Sequence, residues 1–137
     1  MIEFIKEHLN INKTGLPEEF VEVWHLTHFA WGIVTGLFFK EILPKIKKPK
    51  LNNCSILFYS LLISITFEII ENADASLGNK YLFGATHPDY SGDNPIDSQM
   101  DNLYFLLGTI IVLYSNLYIS LLILFLTLGY VAIFLFL

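Results

Sequence analysis

Two histidines, two glutamates and a run of aspartates recur at intervals that bring them to common faces. His25 and His28 lie three apart, Glu68 and Glu71 three apart, and Asp97 and Asp101 four apart. Residues at such intervals share one side of an α-helix, so each pair forms a two-pronged polar face. Neutral imidazole with carboxylate suits zinc, manganese or iron, and carboxylates with water suit magnesium or calcium. His25, His28, Glu68, Glu71 and Asp101 are the expected metal ligands. Asp93, Asp97 and Glu71 are the expected catalytic carboxylates, with Asp93 or Asp97 as the general base that would activate water. Each residue also has a plainer role. The histidines can bond backbone or water at an interface, and Glu68 and Glu71 can form a hydrated helix end. Asp97 can cap a helix, and Asp101 can sit in a first turn favoured by the helix dipole.

The elements that position these residues follow from composition. Of 137 residues, 54% are hydrophobic and only 15% are charged, against roughly 25% charged in a soluble domain. Mean hydropathy is +0.55. Lipid is therefore the expected solvent, and the fold class is all-α: a polytopic membrane helix bundle forming one domain over 1–137. The net charge of −5 gives no footprint for nucleic acid. Cys54 is the single cysteine, which excludes an intrachain disulfide. The first twenty residues carry Glu3, Glu7, Glu18 and Glu19 and lack the apolar core of a cleaved signal peptide.

About four transmembrane helices are expected. A short interfacial segment precedes Pro17, with Ile2, Ile5 and Leu9 at helical spacing. The first span covers about 20–43, with Pro44 helping to end it, and the second covers 54–72. A loop over 73–96 follows, rich in Gly, Pro, Asn and Asp. Apolar sequence returns from Leu103 to Leu137. That is about 50 Å of helix, too long for one crossing of a roughly 30 Å hydrocarbon core. The stretch is therefore divided near Ser115–Asn116 into spans 97–114 and 117–137, with one long tilted helix as the alternative. Four lysines between Lys45 and Lys50 place that loop in the cytoplasm. The long loop and the N-terminus then lie outside.

With that topology the ionisable residues of three spans reach one depth, near the extracytoplasmic face. Their stripes also carry small residues. His25 and His28 continue into Gly32 and Gly36, a G-x-x-x-G that permits close helix approach. Ser60 and Ser64 precede Glu68 and Glu71, and Asp97 and Asp101 precede Tyr104 and Gly108. The three stripes are expected to face one another, with the fourth span outside them. Carboxylates inside a membrane are unfavourable unless paired, hydrated or bound to a cation, and a divalent ion would relieve their mutual repulsion. Trp24, Trp31 and the tyrosines are expected as interface anchors and core filling.

These motifs resemble a family of small bacterial inner-membrane proteins known as a domain of unknown function. Its pattern is H-x-x-H-G, then W-E-x-x-E-N, then Y-x-G-D-S-x-x-N-S-x-x-D with a later glycine. The matching stretches are His25 to His28, Phe67 to Asn72, and Tyr90 to Asp101 running on to Gly108. Phe29, Phe67, Asn94 and Asp97 depart from the pattern, and Asp97 adds a charge where the family has asparagine. More distantly, the order of His, Glu and Asp-x-x-x-Asp resembles the VanZ-like membrane proteins. The resemblance implies a bacterial inner-membrane location and supplies no reaction.

Three functions compete on these residues. One is a metal-dependent hydrolase or transferase acting on a lipid or envelope substrate. A second is a non-catalytic membrane subunit whose polar stripes fix helix register and whose loop docks a partner protein. A third, ion passage, lacks polar residues towards the cytoplasmic side beyond Ser60 and Thr35.

Overall fold

The computed structural model describes residues 18–46, 50–76 and 95–136. The interfacial segment, Asp93 and most of the 73–96 loop lie outside the described residues. All regular structure among the described residues is helical. Helix α1 spans Glu18–Leu37 and passes through a π-helical turn, Phe38–Ile42, into the short α2, Leu43–Ile46. The three long helices that follow are α3 (Asn53–Ser76), α4 (Pro95–Tyr114) and α5 (Leu117–Phe136).

Pro44 does not end the first helix where the sequence suggests; it widens it. Proline lacks an N–H, and its ring crowds the carbonyl four residues back, here that of Lys40. The π turn opens the spiral at that point, and the Leu43 N–H reaches back to the Phe38 carbonyl. The turn aims Lys40 at the neighbouring helix. Its Nζ donates to the carbonyls of Val112 (2.6 Å) and Ser115 (2.7 Å), at the end of α4, where helical carbonyls lack intrahelical partners.

The remaining helix ends have local causes. Asn52 Oδ1 accepts from the Ser55 N–H (2.8 Å) at the start of α3. Pro95 opens α4 at the position where a missing N–H does no harm. The chain breaks at Ser115–Asn116, and Asn116 Oδ1 accepts from the Ile119 N–H (2.9 Å) to start α5. Helix α3 runs to Ser76, four residues past the expected end at Asn72. Nothing from Ala73 to Ser76 breaks a helix, and alanine favours one. Asp74 is thereby buried instead of sitting in a loop.

Helix α1 packs most extensively on α4. Two glycines permit this. A Cβ on Gly32 would lie 1.9 Å from the Phe105 carbonyl oxygen, and one on Gly108 would lie 2.2 Å from that of Phe29. The backbones therefore touch directly. Thr109 Oγ donates to the Gly32 carbonyl across the interface (3.0 Å). Further along, Gly36 lies against Val112, and Ile33, Leu37 and Val112 form the apolar core with Phe29, Ile123 and Leu124. Helix α3 packs mainly on α4 and only sparsely on α1, while α5 lies chiefly against α1.

The burial pattern is inverted relative to a water-soluble protein. Ser60, Ser64, Glu68, Glu71, Asp97 and Asp101 are buried, whereas Phe58, Leu62, Ile69, Phe125 and Leu126 are exposed. Two helices, Asn53–Asp74 and Leu117–Phe134, are long and apolar enough to cross a membrane. Of the four expected spans, α1 and α4 fall outside this pair. They carry His25, His28, Asp97, Asp101 and Asn102, which lower their hydropathy.

The glycine contact gives a direct test. Gly108→Ala should force the α1–α4 backbones apart and reduce stability by about 1–3 kcal/mol, the usual range for overpacking. A Cβ on Gly129 would meet nothing within 4 Å, so Gly129→Ala should be neutral or slightly stabilising. Thermal melts of the two variants in the same detergent check the difference.

Candidate functional site

The α1–α4 contact places His25 and His28 against the start of α4. His25 Nδ1 donates to Asp101 Oδ1 at 2.6 Å, and its ring stacks on Tyr104 with centroids 5.3 Å apart and planes 7° from parallel. A short bond at the ring edge and an aromatic plate against one face fix this imidazole. Asp101 is 1% exposed, so the pair is screened from solvent.

One turn along α1, the His28 ring sits between two glutamates of α3. Its Nδ1 lies 3.6 Å from Glu68 Oε1 and its Nε2 lies 3.8 Å from Glu71 Oε2, with Asp101 Oδ2 4.0 Å from the same Nε2. His28, Glu68 and Glu71 are all buried. Each offers one ligand atom, and these atoms lie within 4.8 Å of one another. The separations exceed ordinary hydrogen-bond lengths. Two tetrahedral ligands at about 2.1 Å from one ion stand about 3.4 Å apart, so the group needs only small side-chain movement to share an ion. An imidazole gives an ion one nitrogen. The other nitrogen can then donate to a carboxylate outside the ligand set, the usual means of fixing the tautomer of a metal-bound histidine, and Asp101 Oδ2 stands 4.0 Å from Nε2.

Polar contacts bring α3 to this position. Ser64 Oγ donates to Asn102 Oδ1 (2.5 Å), and Asn102 Nδ2 donates to the Ser98 carbonyl (2.8 Å), which fixes the amide's orientation. On α3 itself, Asn72 Nδ2 donates to the Glu68 carbonyl (2.9 Å). The sparse packing of α1 on α3 leaves a cavity of about 300 Å³ beside the cluster. Trp24, Thr27, His28, Trp31, Phe67, Glu71 and Phe105 line it.

Of the residues expected as ligands, His28, Glu68 and Glu71 converge as a donor group, and His25 and Asp101 form a pair beside it. Asp97 is buried one turn before Asp101 on the same helix face. Asp93 lies outside the described residues. Sequence reasoning passed over Asn102 and Thr109, whose partners lie on other helices, and treated Asp74 as a loop acid. For Asp74 a signal existed: it extends the stripe Ser60, Ser64, Glu68, Glu71 by another step of three.

The family described as "Protein of unknown function (DUF2585)" matches residues 8–135. No curated protein and no solved structure matches the chain, which leaves the VanZ-like likeness without support.

The short His25–Asp101 bond is testable apart from any activity. A double-mutant cycle with His25→Ala and Asp101→Ala, read by thermal melts, should return a coupling of about 1–3 kcal/mol, in the range for buried hydrogen bonds to charged groups. Additive effects would mean that the two side chains do not interact.

Proposed function

The chain belongs to this family of unknown function, and we propose that it is a membrane-embedded, metal-dependent hydrolase or transferase acting on a lipid or envelope substrate. The convergence of His28, Glu68 and Glu71 from two helices in a buried position carries the reading. The single membrane domain crosses the bilayer four times in this view. The exposed apolar faces of α3 and α5 support it, since contiguous surfaces of this kind are rare on soluble monomers. The Lys45–Lys50 loop lies in the cytoplasm of a bacterial cell, and the site lies near the outer face of the inner membrane.

The donor set fits a divalent metal. One imidazole and two carboxylates suit zinc, manganese or iron, and magnesium where carboxylate and water dominate. Bound there, the ion would polarise a substrate oxygen and acidify its water. His28, Glu68 and Glu71 hold it. Asp101 orients His25 through Nδ1, so that proton exchange with a reacting group falls to Nε2. Asp97 and Asp93 remain the carboxylates for general-base work from the start of α4 and its preceding loop. Trp24, Trp31 and Phe105 make much of the cavity wall apolar.

A second reading takes its support from α5, which carries no acidic or basic residue and exposes Phe125, Leu126, Ile133 and Phe136. A face of that kind suits a non-catalytic subunit docked on a membrane-protein partner.

Metal binding separates the two. Detergent-purified protein should bind one divalent ion per chain. Saturation should raise its stability by about 2.7 kcal/mol at a hundredfold excess of ion over Kd. His28→Ala, Glu68→Gln and Glu71→Gln should each abolish that gain, while His25→Ala should retain most of it. Elemental analysis with thermal melts reads both. Absence of stoichiometric metal, with His28→Ala and Glu68→Gln both tolerated in a defined complex, would favour the subunit.

A further inference from the structure

We propose that the groove along α3, facing the π turn, seats a single acyl chain, holding a lipid whose polar end reaches His28 and Glu71; this rests on the lipid-directed reading above. The cavity beside those two residues does not stand alone. A second hollow of about 350 Å³ runs along α3 from Tyr59 through Leu62, Ile63 and Thr66 to Ile70, with Phe39 opposite. Phe67 lines both spaces. Trp31, in the wall of the first hollow, packs on Phe67 with ring centroids 6.0 Å apart.

The two hollows differ in chemistry. The first presents an imidazole and a carboxylate. The second presents hydrocarbon, because Thr66 turns its hydroxyl back to the Leu62 carbonyl (2.7 Å) and offers its methyl. A hollow carrying an imidazole and a carboxylate beside a purely apolar one, with Phe67 common to both walls, is the complement of an amphiphile. Size selects the occupant further. Tyr59 to Ile70 spans about 16 Å of helix, about half of a roughly 30 Å hydrocarbon core and so the depth of one leaflet. A helical peptide of that length, about 10 Å wide, would need more than about 1,000 Å³, far above the groove's volume. The groove wall also belongs to Asn53–Asp74, one of the two helices apolar enough to cross a membrane, so a chain can enter sideways from lipid.

The test is photolabelling of the full chain in detergent with a phosphatidylglycerol carrying a diazirine near its acyl terminus. Peptide mapping by mass spectrometry should find labelling over 59–70 that saturates with dose. Labelling of Phe125 and Leu126 on α5 should rise linearly, as for any lipid-facing surface. Leu62→Trp or Ile63→Trp should fill the groove and weaken the saturable component at least about tenfold, as expected when two buried methylenes are displaced. The α5 labelling should not change. Linear labelling over 59–70 in the wild type, or saturable labelling unchanged by both tryptophans, would overturn the proposal. If neither variant folds, the wild-type dose curve decides alone. Metal binding without saturable labelling removes the acyl groove only. Saturable labelling without metal removes the metal reading only.

Discussion

The direct contact of two helix backbones at Gly32 and Gly108 is the constraint on which the rest of the molecule depends. Where lipid surrounds a bundle, burying apolar side chains gives little advantage, because the surroundings are equally apolar. Helices then associate through close van der Waals contact and interhelical hydrogen bonds. Here α1 and α4 meet at positions with no room for a methyl group. Thr109 ties the same place with a bond to the Gly32 carbonyl. That register brings His25 to Asp101, one to two turns further along, and leaves little freedom for either.

The second constraint is weaker and more useful. Helix α3 is held to α4 through Ser64 and Asn102 but touches α1 sparsely. Its two glutamates therefore approach His28 without closing over it. A tight joint on one side and an open one on the other yield both a fixed imidazole pair and an accessible cavity. Preorganised groups beside a space for a ligand are what site chemistry demands.

Much of this could be read from residue spacing. His25, His28, Gly32 and Gly36 lie on one stripe, as do Ser60 through Glu71, and both stripes turn inward. Length argued for a break in the last apolar stretch, and the adjacent polar pair Ser115–Asn116 located it. Other features depend on partners distant in sequence. Asn102 and Thr109 look like ordinary helix residues until α3 and α1 stand beside them. The division of labour between His25 and His28 was equally hidden, since both lie on the same stripe and only Asp101 and the two glutamates distinguish them. Pro44 misled for a physical reason: a proline ends a regular helix, but a π turn absorbs it.

That π turn also bears on how such a chain can change over generations. One residue advances an α-helix by about 100°. Losing a single codon between Phe38 and Ile42 would restore regular winding and swing Lys40 away from the terminal carbonyls of α4. Length here is thus under tighter constraint than residue identity, and insertions or deletions should accumulate in the lysine loop rather than in these five positions.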